Sequence, residues 1–368
     1  MKVFFSAGDV SGDINTAKII AKLKQKYPDI KLSGLGGVAM EKAGFVSDFD
    51  FSQFNRMGYA EVIKKLPFFL ATQKKFIQKM RDEKPDVLVC VDFSGFNKKL
   101  VVEANKLGIR VVWFIAPMIW VWKKEKNLKF FEKYRAYIAC ILPFELKHWL
   151  PRINSVGFVG NPLLEDFDYT SLEEKTAINP RERFTLALIP GSREQEVKKM
   201  LPFMIECANI LKVLYGEIRV VVSKTAYLPS CLYEIADELE FETDFNKILK
   251  VADIALVTSG TASLQVGLAA IPNIVLYKTS PLTHLVYMTI VGKKKITVGL
   301  SNIVAEKSIV PEFIQDEMLE NDVVSAARKI IENPDEYNRI TQSLKELRLM
   351  FGDKKTSEEL VKLIDLSD

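Results

Sequence analysis

The fold class of this chain is clearest at Leu186-Ala187-Leu188-Ile189-Pro190-Gly191-Ser192-Arg193, which is followed by a helical pattern from Glu194. A second stretch of the same design is Ile254-Ala255-Leu256-Val257-Thr258-Ser259-Gly260-Thr261-Ala262-Ser263, which runs into the apolar segment Leu264–Ala270. Each stretch combines a short apolar strand, a turn of small residues and a helix. This combination is the repeating unit of a parallel α/β sheet.

The turns in these stretches, here called the first elbow (Pro190–Arg193) and the second elbow (Ser259–Ser263), are suited to binding phosphate. Each directs unpaired backbone N–H groups and the positive end of a helix dipole at one point. Any strand-to-helix turn favours Gly, Ser and Thr, so one elbow alone is weak evidence. Two elbows in one half of the chain, one of them with an arginine, predict a diphosphate site.

Apolar strands and helical patterns alternate along the whole chain, as in parallel sheets covered on both faces. The predicted strands are Lys2–Phe5, Lys31–Leu35, Asp86–Val91, Arg110–Ile115, Ala136–Ile141, Thr185–Ile189, Arg219–Val222, Ile254–Thr258 and Asn273–Tyr277. The predicted helices include Asp13–Tyr27, Asn97–Leu107 and Glu194–Leu214. We therefore predict two doubly wound Rossmann-like domains facing a cleft. Their expected ranges are 1–164 and 184–345, joined by a polar linker over 165–183 and followed by a C-terminal helix over 346–368 that can pack back on the first domain.

Composition limits the classes of protein to consider. A chain of 368 residues with 48% hydrophobic residues can bury the cores of two domains. Its 51 basic and 47 acidic residues give a net charge of +4, which argues against a nucleic-acid binder. The widely spaced cysteines predict buried, reduced thiols: Cys90, Cys140, Cys207 and Cys231. With no apparent signal peptide and no apolar run of membrane-spanning length, we expect a cytoplasmic protein.

Turns after the first two strands of the first domain are rich in glycine. Ser6–Asp13 opens a helix that Asp13 or Ser11 can cap. Gly34–Met40 loosely matches a dinucleotide fingerprint, but it follows the second strand and lacks the acidic ribose ligand. We interpret its glycines, including Gly36 and Gly37, as positions where a ligand approaches the backbone of a cleft.

Asp92 is the candidate catalytic carboxylate. It ends the apolar strand Val87–Val91, and ligands of open α/β sheets bind beyond the carboxyl ends of the strands. A carboxylate partly desolvated there has a raised pKa and can act as a general base. From position alone, capping of the helix near Asn97 is an equally good interpretation.

The next strand ends in the loop Pro117–Trp122, which contains two tryptophans. Their side chains can cover a sugar or an acyl chain, or they can pack in the core. Their place beside Asp92 favours a binding site.

The sequence gives no signal for a metal or a cofactor. The two histidines, His148 and His284, have no carboxylate or cysteine at ligand spacing. The triplets Asp48-Phe49-Asp50 and Asp166-Phe167-Asp168 lie in polar segments and are interpreted as solvated turns. No Walker A pattern or G-x-S-x-G elbow is present.

A series of motifs over nearly the whole chain resembles the lipid-A-disaccharide synthase family. In the family's order they are Ser6–Asp13, Gly34–Gly37, Met57–Val62, Val91-Asp92 with Phe96-Asn97, Pro117 with Trp120–Trp122, Leu142–Glu145, Gly160–Pro162, Pro190–Arg193, Ser259–Ala262, and Asn302 with Val310–Glu312 and Gln315. The resemblance implies a GT-B glycosyltransferase fold and an inverting reaction. UDP-2,3-diacylglucosamine would donate its sugar to 2,3-diacylglucosamine 1-phosphate, giving a β-1,6-linked disaccharide phosphate and UDP.

The resemblance also implies roles for individual residues. Asp92 would accept the proton of the acceptor 6-hydroxyl, and UDP would lie on the second domain. The expected substrate-binding residues of that domain are Ser192, Arg193, Ser259, Gly260, Thr261, Gln265, Asn302, Glu312 and Gln315. Those of the first domain are Ser11, Gly36, Gly37, Glu61, Asn97 and Trp120. Several positions depart from the family: Ser94 and Ser301 replace prolines, Met118 replaces a small or polar residue, and Asp9 and Gln265 stand where a glutamate is usual. A glutamine is the weaker acceptor for ribose hydroxyls.

Two other functions fit part of the pattern. A UDP-sugar 2-epimerase shares the two-domain scaffold and the elbows, but it needs acidic residues and a histidine near the sugar, and neither histidine of this chain lies in an elbow. A non-catalytic nucleotide-sugar sensor would need only the elbows.

The segment Tyr59–Leu70 predicts contact with a membrane surface. An ordinary helix buries one apolar face, but Phe68, Phe69 and Leu70 are consecutive and cannot all share one. Lys64, Lys65, Lys74 and Lys75 suit anionic headgroups. The resemblance adds that both substrates carry acyl chains. We therefore expect peripheral association with the inner face of the inner membrane.

Overall fold

A computed structural model describes residues 1–54, 66–120, 124–278 and 297–365. The chain divides into two compact units. The first unit consists of Met1–Asp166 together with the chain from Asp353 onward, and the second consists of Phe167–Gly352. Among the described residues, no helix is both long and apolar enough to cross a membrane.

The first unit contains a seven-stranded sheet in the order β3-β2-β1-β4-β5-β6-β7, with every neighbouring pair parallel. Its strands are β1 Lys2–Ala7, β2 Lys31–Leu35, β3 Val46–Ser47, β4 Val87–Val91, β5 Arg110–Phe114, β6 Tyr137–Cys140 and β7 Val156–Phe158. Its helices are Val10–Lys26, Val38–Lys42, Leu66–Glu83, Ser94–Lys106, Lys124–Lys133, Leu146–Trp149, Pro162–Asp166 and Thr356–Ile364. Short 3-10 helices cover Phe51–Gln53 and Pro143–Glu145.

The central strands are mostly apolar because both faces of the sheet are covered, and β4 is apolar throughout. Successive side chains of a strand point to opposite faces. In β4, Leu88 and Cys90 belong to one buried cluster, while Val87, Val89 and Val91 belong to the cluster on the other face. The prediction of a doubly wound sheet is therefore confirmed for this unit.

The second unit contains a six-stranded parallel sheet in the order β10-β9-β8-β11-β12-β13. Its strands are β8 Thr185–Ile189, β9 Arg219–Ser223, β10 Glu240–Glu242, β11 Ile254–Thr258, β12 Asn273–Tyr277 and β13 Glu312–Ile314. Its helices are Glu194–Tyr215, Phe245–Val251, Thr261–Leu268, Leu300–Ala305, Glu320–Glu332 and Pro334–Leu349. In its described part, 3-10 helices cover Tyr169–Ser171, Ser230–Ala236 and Gln315–Glu317.

Each sheet has one point where the order of strands reverses, and ligands of open α/β sheets bind at such points. In the first unit it lies between β1 and β4, whose ends are paired at Ala7 and Val91. In the second unit it lies between β8 and β11, where Ile189 is paired with Val257. Both elbows therefore begin at adjacent strand ends.

The chain crosses between the units at different residues from those predicted. Tyr169 is buried, and Arg348 Nη1 donates to the carbonyl oxygens of Tyr169 (2.8 Å) and Leu268 (3.3 Å). The chain from Phe167 therefore belongs to the second unit, and it does not form a free linker over 165–183. The helix Pro334–Leu349 also packs there, so the return to the first unit comes at Asp353 and not at residue 346.

The last described helix, Thr356–Ile364, packs on the helix Val10–Lys26 of the first unit. Leu360 and Ile364 are buried in the core of that unit. Ser357 donates through its N–H (3.2 Å) and its hydroxyl (2.7 Å) to Glu165, and Lys22 Nζ lies 2.8 Å from Glu358.

Three local predictions are wrong. The helix after β1 begins at Val10, and Asp9, rather than Asp13 or Ser11, caps it by accepting from the Gly12 N–H at 2.6 Å. The helix after β4 begins at Ser94, three residues before the predicted start. Cys231 is exposed because it lies in the surface 3-10 helix Ser230–Ala236, whereas the other three cysteines are buried.

Candidate functional site

Asp92 has an unusual backbone at the switch point of the first sheet. It follows β4 directly, and both Asp92 and Phe93 have left-handed backbones, with φ angles of 40° and 46°. Such a conformation costs a non-glycine residue of the order of 1 kcal/mol or more, so the surroundings must enforce it. Asp92 does not cap the following helix, because the residue at the cap is Phe93. The capping interpretation is therefore wrong.

Hydrogen bonds of Asn97 help to hold the left-handed backbone at Asp92. Its side chain is completely buried. Asn97 Oδ1 accepts from the Ser6 hydroxyl at 2.6 Å, and Asn97 Nδ2 donates to the carbonyl oxygen of Asp92 at 2.8 Å. The same nitrogen lies 3.3 Å from the carbonyl oxygens of Ser6 and Val91. Asn97, predicted as a substrate ligand, thus joins the ends of β1 and β4 and fixes the turn at Asp92.

The electrostatic surroundings of Asp92 favour a proton on its carboxyl. Solvent reaches the residue, but protein atoms around it remove part of its hydration. This desolvation and the negative charge of Asp9 raise the pKa of Asp92 to about 6, while the N–H of Phe93 opposes the shift. The residue is therefore ionised at neutral pH and close to the pKa that suits a general base.

Asp13 organises the glycine turn after β2. Its carboxylate accepts from the N–H groups of Gly37 (2.8 Å), Ala39 (3.0 Å) and Met40 (3.0 Å), and so caps the short helix Val38–Lys42 from a distance. A Cβ at Gly37 would lie 2.6 Å from Asp13 Oδ2, and one at Gly36 would lie 2.5 Å from the sulfur of Met40. Packing inside the protein thus requires both glycines, whatever ligand approaches them.

The remaining predicted residues of the first unit differ in their surroundings. Ser11 is exposed beside the Asp9 cap. Trp120 is half-buried, with its ring centre 4.9 Å from that of Phe144 and 6.5 Å from that of His148. Glu61 and Trp122 lie outside the described residues.

Glu145 is a buried carboxyl to which the sequence assigned no role. It accepts from the N–H groups of Ile141 (3.1 Å) and Leu142 (3.0 Å) and so fixes the turn that carries Phe144 towards Trp120. Burial raises its pKa to about 8, against the lowering effect of the two amides. Its place in the Leu142–Glu145 motif was the only signal in the sequence.

The first elbow already contains a carboxylate. The N–H groups of Ser192 and Arg193 donate to Glu196 Oε2 at 3.1 and 3.2 Å, and Arg193 Nη1 donates to Glu196 Oε1 at 2.8 Å. The Arg193 side chain is 80% exposed. The prediction that the N–H groups of this turn are unpaired is therefore wrong for Ser192 and Arg193, because a residue one turn inside the helix accepts from them.

The second elbow is open. Gly260 has a φ of 148°, and a Cβ built there would meet no atom within 4 Å. It precedes the helix Thr261–Leu268, in which the Ser263 N–H donates to the Gly260 carbonyl at 3.1 Å, while the N–H groups of Thr261 and Ala262 have no acceptor among the described residues. Ser259 donates its hydroxyl to the Val298 carbonyl at 2.7 Å, which connects the elbow to the chain before the helix Leu300–Ala305. Exposed Thr261 borders this open space.

Gln265 lies one helical turn after Thr261, beside the hydroxyl of Tyr169. Burial raises the pKa of Tyr169, and the Gln265 side chain counteracts this effect. Gln265 therefore lies near the chain that follows the first unit, although the Tyr169 hydroxyl has no hydrogen-bond partner at normal distance among the described residues.

Asn302 and Glu312 form an internal network. Asn302 is buried; its Oδ1 accepts from the N–H groups of Ile309 (2.8 Å) and Val310 (3.0 Å), and its Nδ2 donates to Glu312 Oε1 (2.6 Å). Glu312 also accepts from the N–H groups of Val298 and Gly299, each at 3.0 Å. Both residues, predicted as ligands, thus shape the chain beside the second elbow.

Gln315 differs from that pair. It follows β13 with a left-handed φ of 54°, and its Nε2 is buried with no hydrogen-bond acceptor among the residues that the structure describes. The Thr258 hydroxyl, at the end of β11, is likewise buried without a partner in the described part. The described residues thus leave two buried polar atoms without a partner at the carboxyl edge of the second sheet.

The aspartates of the triplets Asp48–Asp50 and Asp166–Asp168 have structural contacts. Asp50 and Asp168 each cap a 3-10 helix, and Asp48 pairs with Lys79 at 2.9 Å. The described ranges contain no group of three His, Cys, Asp or Glu residues arranged to bind a metal.

The sequence matches one family from end to end. A model of the lipid-A-disaccharide synthetase family matches residues 3–364. The lipid-A-disaccharide synthase of Syntrophus aciditrophicus is 32% identical, with 95% of this chain and 93% of that protein covered. The enzyme of the same name from Sulfurihydrogenibium sp. is 30% identical, with 99% and 97% covered.

Solved structures with low sequence identity share the fold. The calicheamicin glycosyltransferase CalG4 has a TM-score of 0.60 and 14% identity, covering 100% of this chain and 99% of its own. A UDP-GlcNAc 2-epimerase from Neisseria meningitidis, bound to UDP-GlcNAc, has a TM-score of 0.59 and 14% identity, with 99% of both chains covered. These likenesses confirm the predicted two-domain GT-B fold and carry no information about the reaction.

Proposed function

Because the chain belongs to the lipid-A-disaccharide synthetase family, we propose that Asp92 and Arg193 carry out the two halves of its glycosyl transfer. The enzyme is a lipid-A-disaccharide synthase of GT-B fold. It joins UDP-2,3-diacylglucosamine to 2,3-diacylglucosamine 1-phosphate and releases UDP.

Asp92 is the general base in this proposal, and the supporting observation is its backbone. A left-handed turn fixed by Asn97 presents a carboxylate with a raised pKa at the switch point of the first sheet. Asp92 accepts the proton of the acceptor 6-hydroxyl as that oxygen bonds to the anomeric carbon. The bond from this carbon to the diphosphate oxygen breaks at the same time, so one displacement inverts the configuration and gives the β-1,6 linkage.

Arg193 and the second elbow stabilise the leaving diphosphate. Arg193 provides a charged, exposed guanidinium, and the N–H groups of Thr261 and Ala262 provide donors at the positive end of a helix. Gln315, a partly exposed residue at the end of β13, is a further candidate ligand for the nucleotide or its sugar. Asn97, Asn302 and Glu312 position these groups through the contacts described above.

The two other candidate functions are not favoured. The family match covers the whole fold and separates this chain from the epimerases that share the fold at 14% identity. A sensor without activity would not need Asp92 in a strained turn.

We also propose that the protein works at a membrane surface, because donor and acceptor both carry acyl chains. Leu66 and Leu70 are 50% and 39% exposed at the start of the helix Leu66–Glu83, beside exposed Lys74 and Lys75. This surface suits peripheral association with the inner face of the inner membrane.

The variant Asp92→Asn tests the proposed base. Its amide cannot accept a proton at neutral pH, so turnover should fall by about 10²–10⁴-fold. UDP affinity should not change, because the diphosphate binds to the other unit. The measurements are turnover with both lipid substrates and UDP binding by calorimetry.

The matched control is Asp29→Asn, which removes an exposed carboxylate elsewhere in the first unit and should leave turnover unchanged. Near-normal turnover in folded Asp92→Asn protein would remove Asp92 from the mechanism.

A further inference from the structure

Glu196 occupies the place at the first elbow where a phosphate was expected. One of its oxygens accepts from the N–H groups of Ser192 and Arg193, and the other pairs with the Arg193 guanidinium. Glu196 is the third residue of the helix Glu194–Tyr215, so this is a capping-box contact at the helix start. A carboxylate and a phosphate repel each other and cannot share these donors.

Gly191 shows that the carboxylate is built into the turn. Gly191 has a φ of 107°, and a Cβ there would lie 2.5 Å from Glu196 Oε2. The turn therefore closes tightly on the carboxylate, which stabilises the backbone shape of the elbow.

The ion pair between Arg193 and Glu196 differs from the contacts of Glu196 with the two amides, because it is exposed and can be broken easily. The Arg193 side chain is 80% exposed and that of Glu196 is 25% exposed. Exposed pairs of this kind contribute little to stability, so Arg193 can exchange its partner at small cost. A diphosphate offers the guanidinium a stronger, doubly hydrogen-bonded partner.

We propose that Glu196 is a positioning residue for the donor diphosphate, an inference that rests on the proposed function. Its carboxylate accepts hydrogen bonds from the N–H groups of Ser192 and Arg193. When no donor is bound, it also holds the Arg193 guanidinium at the elbow. Arg193 then turns from Glu196 to the diphosphate, while the amides stay with Glu196. The phosphate contacts of this site therefore come from the Arg193 side chain and the second elbow, and the amides of the first elbow contribute none.

Two substitutions separate the two contacts of Glu196. In Glu196→Gln the side-chain oxygen can still accept from the amides, since glutamine also forms a capping box, but the charge that competes for Arg193 is gone. UDP should bind about 2–5-fold more tightly, the range expected for loss of an exposed ion pair. In Glu196→Ala the turn loses its acceptor as well, and UDP should bind about tenfold more weakly.

The matched control is Glu194→Gln, which removes the same charge from the same helical turn. Glu194 pairs with Lys198 at 2.6 Å, and its carboxylate makes no described contact with Ser192 or Arg193. Its UDP affinity should equal that of the wild type.

The measurements are the dissociation constants of UDP by calorimetry and of uridine by NMR titration. Uridine has no phosphate, so Glu196→Gln should not change its affinity, whereas a general change of structure would alter both ligands. Circular dichroism during heating shows whether each variant folds.

Arg193→Ala makes failure of this inference distinguishable from failure of the proposed function. If Arg193→Ala leaves UDP affinity unchanged, the diphosphate does not bind at the elbow and the proposed function fails. If Arg193→Ala weakens UDP binding but Glu196→Gln leaves it unchanged or weaker, only the role of Glu196 is overturned. Normal UDP affinity in folded Glu196→Ala would overturn that role too.

Discussion

At the residue scale, two carboxylates lie near each other at the switch point of the first sheet. Asp9 caps the helix Val10–Lys26, and its charge contributes to the raised pKa of Asp92. The loops that carry them are also in close packing, since a Cβ at Gly8 would collide with the Phe93 ring. The charge of Asp9 therefore acts on the proposed base, Asp92.

This tuning predicts a pH effect of Asp9→Asn. Asparagine keeps the helix cap but removes the negative charge, so the pKa of Asp92 should fall below its value of about 6. Asp92 then stays deprotonated to lower pH, and the acidic limb of the kcat/KM profile should move to lower pH. The measurement is this profile for wild type, Asp9→Asn and the control Asp29→Asn. A midpoint that stays in place or rises would show that Asp9 does not act on the base.

At the element scale, the start of the helix Leu66–Glu83 shows which part of the predicted membrane segment can be tested. Phe69 is buried against Phe54 and Phe93, so its replacement would damage the core. Leu66 and Leu70 are exposed, as expected where consecutive apolar residues cannot share one face. The part of the predicted segment before Leu66 lies outside the described residues.

We predict that Leu66→Ser with Leu70→Ser weakens binding to anionic vesicles by about tenfold or more, because two inserted leucines are lost. Thermal stability should stay close to that of the wild type. The control is Val213→Ser, which removes an apolar side chain that is 87% exposed on the second unit. Co-sedimentation with vesicles at low and high salt measures the effect, and unchanged binding of the double variant would exclude this helix from the interface.

Local pattern predicted most elements, and some of the errors come from contacts between distant residues. Strands such as β4, which is apolar throughout, and β11, which is apolar up to Val257, are evident from composition alone. The role of Asp13 depends on Gly37, 24 residues away, which no local pattern reveals. Glu196 lies in a readable capping position, but an arginine at the cap is unusual, so the occupied first elbow was missed.

At the scale of the whole molecule, each unit contains a doubly wound parallel sheet, and we propose that each binds one of the two substrates. In both sheets the strand order reverses between two neighbouring strands. The reversal in the first unit carries Asp92, the candidate residue for the acceptor. The reversal in the second unit carries the elbows, the candidate site for the donor. The sequence predicted this division because the motifs follow strand ends. The residues at which the chain crosses between the units were predicted less well. They depend on packing contacts such as the hydrogen bond from Arg348 to the Tyr169 carbonyl oxygen.

The most direct test of this account is a transfer assay with purified protein, radiolabelled UDP-2,3-diacylglucosamine and 2,3-diacylglucosamine 1-phosphate, with EDTA present. In the proposed mechanism Asp92 is the base and Arg193 stabilises the charge of the leaving group, so we predict one UDP released per β-1,6-linked disaccharide formed, no turnover without acceptor, and no loss of activity with EDTA. Sugar epimerised at C2 without acceptor, or activity lost with EDTA and restored by magnesium, would contradict the account.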